Sequence, residues 1–362
     1  MCKRDGSQVT RHVLAKSVGC GWLGYHAFLI GARLSQLVTP VLGLRDGILY
    51  TEWLSDRITQ PQEVETALRA RIPGVAARYI AARAKHLRVP GDSAGPPQTV
   101  DHKALTELAA ALSKAYGWKG TAYLQRERLV QKLRLLPCLN PTFIDGKMRP
   151  REWVPSGSAI LKSDFEHHGQ GKIELNAVDA AYDLADTILT WNLSREQEQE
   201  LIHDYVAASG DDGVESRLFD YKLLAGTWSK IRAIDNLLEP RLIDRHEEFD
   251  DQYARAFDFL TEHTARFCAE FCALPRTPNW GARLVVLDVD GVLDKWIFGF
   301  PSNTAAGILA ISLLHAVTQS FSIARGVCGR WSCTVPTTAV GVPSPNMGVS
   351  SGIRQAGKSA CS

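Results

Sequence analysis

Short apolar runs broken by turn residues alternate with longer stretches of helical period, and that alternation divides the chain. From Pro40 to Leu54 two runs of strand character flank Arg45-Asp46-Gly47, which predicts a hairpin. A charged helical region follows from Ser55 to Val89, a Gly/Pro-rich loop spans Pro90 to Pro97, and Asp101 to Tyr116 reads as another helix. The stretch from Asn140 to Pro150 places Asp145 in a loop, and Ala159 to Asp164 is a strand ending in a second aspartate. Asp179 to Asp186 opens a run of helices in which Asp179 or Asp183 is placed to cap. Ser194, followed by Glu196 to Glu200, marks a capped and solvated first turn. Trp228, Tyr253, Phe257 and Phe267 fall at helical spacings and are expected in a core. A helix over Thr261 to Leu274 puts Cys268 and Cys272 on one face, a spacing read as buried thiols rather than a metal clip. Beyond the Pro275 to Asn279 linker, Leu284 to Leu287 forms an apolar strand, and Thr304 to Ala316 reads as a helix with an apolar face.

Composition narrows the class. The 362 residues allow two or three domains. A 45% hydrophobic and 22% charged content is ordinary for a soluble globular protein, and the α/β class rests on the order of elements and the resemblances below. With 41 basic and 39 acidic residues the net charge is +2, which gives no case for a nucleic-acid or membrane-surface partner. No apolar window is long enough for a span, and the N-terminus lacks the pattern of a secretory signal, so a cytoplasmic protein is expected. The eight scattered cysteines agree with that location.

The sharpest chemistry lies at Leu284-Val285-Val286-Leu287-Asp288-Val289-Asp290-Gly291-Val292-Leu293. Residues two apart on a strand share a face, so Asp288 and Asp290 would project together from the strand end and could hold Mg²⁺. The bland alternative is an Asp-Gly turn closing a buried strand. The run resembles the first motif of the haloacid dehalogenase-like (HAD) hydrolases. That resemblance implies Asp288 as nucleophile forming an aspartyl-phosphate, Asp290 as acid/base, both as Mg²⁺ ligands, and Ser322 as the phosphate-binding hydroxyl. From Lys295 to Ser362 there is no Asp or Glu, so the later acidic motif of that family has no counterpart. After about Val317 the composition turns to Ser, Thr, Gly, Pro and Cys with little period, as a disordered tail or a shifted reading frame would read.

The order of elements before residue 275 resembles the aminoglycoside-phosphotransferase branch of the protein-kinase-like fold. Tyr50-Thr51-Glu52-Trp53-Leu54 stands as the hinge. The resemblance implies Asp145 as catalytic-loop base, Asp164 as Mg²⁺ ligand, Asp183 as brace and Lys16 as the lysine for ATP phosphates. In that register Phe143 occupies the family's His position and Pro150 its Asn position, and no Gly-rich loop precedes Lys16.

The expectation is a remnant kinase-like N-lobe at 1–58, a helical C-lobe at 59–275, a partial HAD-like Rossmann domain at 281–316 and an irregular, disordered tail at 317–362. The function expected is Mg²⁺-dependent phosphoryl chemistry on a small phosphorylated metabolite, phosphatase-type and weak or inactive in this form, with ATP as the phosphotransferase cofactor. The alternative is a non-catalytic relic that serves at most as a binding module. The oligomeric state is open.

Overall fold

The computed structural model describes residues 12–18, 22–54, 68–89, 102–116, 133, 138, 140–166 and 178–271. It also gives the backbone of short strands at 286–288, 294–297, 300–303, 321–324 and 339–340. Two compact units emerge, residues 1–100 with 132–228, and residues 101–131 with 229–362. They cut across the segmentation expected from the sequence, because the chain leaves the first unit near Val100 and re-enters it at Lys132.

The first unit begins with a three-stranded antiparallel sheet in the order β1-β3-β2, from Val13–Ser17 (β1), Val41–Arg45 (β2) and Ile48–Glu52 (β3). β2 and β3 form the expected hairpin. Asp46 (φ 52°) and Gly47 (φ 76°) both take the left-handed region, as a two-residue turn matched to strand twist requires. Between β1 and β2 lies helix α1 (Trp22–Arg33). At Gly31 a Cβ would lie 2.4 Å from Val41 Cγ2 and 3.0 Å from the Phe165 ring, so the missing side chain lets α1 approach β2 and the segment carrying Phe165.

Only the last part of the expected Ser55–Val89 helix falls among the described residues, as α2 (Ile72–His86). Its buried face carries Ile72, Val75, Ala76, Tyr79, Ile80 and Arg83, the three-four spacing of an amphipathic helix. Arg83, Lys85 and His86 complement the carbonyl end. After strand β4 (Pro141–Thr142) comes a hairpin of β5 (Trp153–Ser156) and β6 (Ala159–Lys162), and β4 pairs with β7 (Val178–Asp179). The hairpin joins the N-terminal part through Thr39 N to Lys162 O (3.0 Å) and Lys162 N to Leu37 O (2.9 Å).

Helices α4 (Ala181–Trp191) and α5 (Arg195–Ser209) follow, with α5 packed on α2. Ser194 caps α5 in a full capping box with Gln197, and Gly210 closes it at φ 73°. The N-cap of α4 is Ala180, without a side-chain cap bond, so neither Asp179 nor Asp183 is the cap. Asp179, one residue earlier, accepts from Ala181 N (3.0 Å) and is held by Arg217 Nε at 2.9 Å. Arg217 lies on α6 (Val214–Leu237), which passes from the first unit into the second. The half-buried Cys138 thiol is pushed up to about 12 by burial and by Asp179.

In the second unit α3 (His102–Tyr116) buries Ala104, Leu105, Leu108, Ala111, Leu112 and Ala115 and packs on α7 (His246–Phe271). α7 starts fifteen residues before the expected Thr261, because Glu247 and Glu248 suit its first turn and Phe249, Ala256, Phe257 and Leu260 line its buried side. Trp228 and Phe257 are buried as expected, whereas Phe267, near the end of α7, is 43% exposed. Lys230 Nζ bonds Glu107 Oε2 at 2.6 Å. The remaining strands form a parallel pair of β8 (Val286–Asp288) with β11 (Phe321–Ala324), extended by β12 (Ala339–Val340), and an antiparallel pair of β9 (Asp294–Ile297) and β10 (Phe300–Asn303). Among the described residues no helix is long and apolar enough to cross a membrane.

Candidate functional site

Helix α4 fixes the loop that follows β4. Asp183 accepts the backbone N–H of Asp145 and of Gly146, each at 2.8 Å, and Asp186 accepts that of Met148 at 2.8 Å. Thr190 and the Trp191 indole both donate to the Met148 carbonyl, at 3.0 and 2.9 Å. These four residues lie at i, i+3, i+7 and i+8, one face of a helix, so the loop is gripped along its backbone. Burial and the neighbouring Asp145 charge push the Asp183 carboxyl up to about 7, against the pull of Arg83 and the two amides.

Arg83 on α2 closes the loop from the other side. Its guanidinium donates to the carbonyls of Phe143 (3.0 Å), Ile144 (2.8 Å) and Phe165 (2.8 Å), and to the Tyr79 hydroxyl (2.8 Å). Five donors in a planar fork suit such a stitching role. Tyr79 in turn donates to Asp145 Oδ2 at 2.6 Å.

From that point an alternating ladder of charges runs outward. Asp145 Oδ2 lies 3.8 Å from Arg83 and 3.2 Å from Lys162 Nζ. Lys162 reaches Glu152 Oε2 at 3.0 Å, and the other oxygen of Glu152 lies 3.2 Å from Lys147 Nζ. Lys147 also bonds Asp164 Oδ2, whose other oxygen bonds Lys16 Nζ, and Lys16 ends the ladder on Glu166 Oε2 at 3.0 Å. The inner rungs Arg83, Asp145 and Lys162 are enclosed, while the Lys147, Asp164 and Lys16 side chains are 23%, 20% and 38% exposed. Burial pulls the Lys162 ammonium down, but Asp145 and Glu152 outweigh it and its pKa is raised. At Lys147 burial dominates and the pKa is lowered, with Glu152 opposing.

The sequence-derived residues are therefore only partly gathered. Lys16 and Asp164 meet, from β1 and from the turn after β6, with Asp164 at φ 55°. Asp145 is brought near but is 0% exposed, with its carboxylate turned into the interior. Asp183 braces the loop. Two groups passed over in the sequence, Lys147 and Glu152, stand beside Asp164. Their mutual spacing of five, directly after Gly146, is the signal that could have found them. Of the second motif, Asp288 ends β8 and Ser322 lies on β11 opposite Val286, known by backbone alone. Asp290 and the helix expected over Thr304 to Ala316 lie outside the described residues. Among the described residues no group of three or more His, Cys, Asp or Glu is placed to hold a metal ion.

No family model matches the chain, and no curated protein matches it. Solved structures do. A choline/ethanolamine kinase family protein from Mesorhizobium loti is similar at 14% identity, covering 65% of this chain and 83% of that one, with a TM-score of 0.39. An ethanolamine kinase from Plasmodium vivax is similar at 9% identity, covering 64% and 70%, with a TM-score of 0.42. The aminoglycoside phosphotransferase APH(2")-IIa, in its gentamicin complex, is similar at 12% identity, covering 68% and 84%, with a TM-score of 0.34.

Proposed function

We propose that the first unit recognises the phosphates of a nucleotide such as ATP on a phosphotransferase-like scaffold, and that it binds them without transferring a phosphoryl group. The observation that carries this reading is the placement of Lys147 and Glu152 beside Asp164. In the His-x-Asp pattern with Asn five residues later, a register moved by two puts Asp145 at the His position, Lys147 at the Asp position and Glu152 at the Asn position. That register departs from the one expected above, in which Asp145 was the base. An ammonium has no lone pair to take a proton from an acceptor hydroxyl. Asp145, enclosed by Tyr79, Arg83 and Lys162, has no approach to one either.

Lys16 is the most exposed cation of the ladder and can exchange a carboxylate for a phosphate oxygen. Lys147, one rung further in, supplies the second positive charge. The HAD-type hydrolase reading of residues 281–316 rests on the sequence motif alone and is not needed for this site.

The test pairs binding with turnover. ATP should raise the melting temperature of the full chain, Lys16→Ala should abolish that rise, and no ADP should form with choline, ethanolamine or an aminoglycoside as acceptor. ADP formation above the protein-free blank with any of these acceptors would show that transfer chemistry persists. Absence of any thermal shift would remove the nucleotide.

A further inference from the structure

Divalent cations on phosphate substrates are held by one or two carboxylates plus the phosphates themselves, with water completing the shell. Two carboxylates do converge next to the exposed end of the ladder, Glu152 from the turn Pro150–Glu152 and Asp164 from the end of the β5–β6 hairpin. The place between them is taken by the Lys147 ammonium, which contacts one oxygen of each. The remaining oxygens are also engaged, Glu152 Oε2 by Lys162 and Asp164 Oδ1 by Lys16. Mg²⁺ does not fit this set. It would have to evict an ammonium from both ligands and would then share Glu152 with a buried lysine.

We infer that Lys147 is a cation built into the chain: it stands in for the divalent ion between Glu152 and Asp164, so that nucleotide phosphates bind this site without Mg²⁺. The inference rests on the nucleotide reading above and adds the ion dependence to it. The backbone explains why the ammonium stays in place. The amides on both sides of Lys147, those of Gly146 and Met148, are tied to Asp183 and Asp186, which fixes the main chain that carries it, and the ion pairs to Glu152 and Asp164 hold the ammonium itself. A fixed single charge gives weaker neutralisation than a divalent ion but asks for no metal at all.

The experiment is titration of the full chain with a fluorescent N-methylanthraniloyl ATP, in excess EDTA and in millimolar MgCl₂. The dissociation constants should agree within about twofold in the two buffers. Lys147→Ala should weaken binding about tenfold in EDTA and recover with Mg²⁺, because the freed carboxylates then accept the ion, whereas Lys147→Arg should stay indifferent to Mg²⁺. Wild-type binding that needs Mg²⁺ overturns the inference and leaves the nucleotide reading standing; absence of binding in both buffers overturns both. A Lys147→Ala chain that binds like wild type in EDTA, or that loses binding without recovery in Mg²⁺, also overturns it. The wild-type comparison decides the matter by itself if the variant fails to fold.

Discussion

Replacing Lys162 by methionine removes the central rung of the ladder and nothing else of comparable size. In the native fold its ammonium lies 3.2 Å from Asp145, 3.0 Å from Glu152, and donates to the carbonyls of Ser163 (3.1 Å) and Asp164 (3.2 Å). Each ion pair at about 3 Å is worth roughly 5 kcal/mol at an effective dielectric constant near 20. Desolvating the ammonium takes back several kcal/mol, and the methionine regains packing. What remains is the penalty of leaving carboxylates buried with fewer partners, about 3–5 kcal/mol in such cases. Arg83 and Lys147 still face Asp145 and Glu152, so the lower end, about 3 kcal/mol, is expected. Urea unfolding followed by tryptophan fluorescence is the suitable assay, since urea does not screen charge as a guanidinium salt would. With a slope of about 2 kcal/mol per molar, the midpoint should fall by roughly 1.5 M. Lys103→Ala provides the contrast. Lys103 lies 3.2 Å from Asp235 with both side chains more than half exposed, and its loss should cost under about 1 kcal/mol. If Lys162→Met costs no more than Lys103→Ala, the ladder does not hold the loop and the reasoning above fails.

Two further expectations follow from the packing and the titration of the same unit. Gly31→Ala puts a methyl 2.4 Å from Val41 Cγ2 and should destabilise by about 1–3 kcal/mol through displacement of α1, read as a lowered urea midpoint; an unchanged midpoint would mean the contact relaxes freely. The His26 imidazole, lowered to about 4 by burial and by Arg83, binds fewer protons folded than unfolded between about 4 and its ordinary 6.5. Its contribution is therefore present above pH 6.5 and lost as pH falls through about 4, and His26→Leu should flatten the stability profile across that window. A profile of unchanged slope in the variant would assign the acid sensitivity to other groups.

Much of the scaffold was legible because it is written locally. The Asp46-Gly47 hairpin, the Ser194 cap and the apolar stripe of α3 each declare themselves within a few residues. The site was less legible because its geometry is set from far away. Whether Asp145 or Lys147 turns to the open side depends on Asp183 catching two amides from 38 and 37 residues downstream, and on Arg83 from 60 residues upstream. A loop without a period gives no local sign of that choice. Asp164 was found because a carboxylate at a strand end is a local signal, and Lys16 because it stands on a strand. Yet their pairing across 148 positions was not legible and Lys147, 17 positions before Asp164, was missed altogether, since charge pairing leaves no pattern in composition.

The order of the segments along the chain also sets an order of events during synthesis. All of the first unit has been made once residue 228 is out, whereas α3, made early, belongs with a helix that begins at His246. For the time it takes to add about 130 residues, roughly 7–26 seconds at about 5–20 residues per second, the Ala104, Leu105, Leu108, Ala111 and Leu112 face has no α7 to rest on. A chaperone or a neighbouring nascent chain would meet that stripe first, which makes α3 the segment where misassembly of this protein would start.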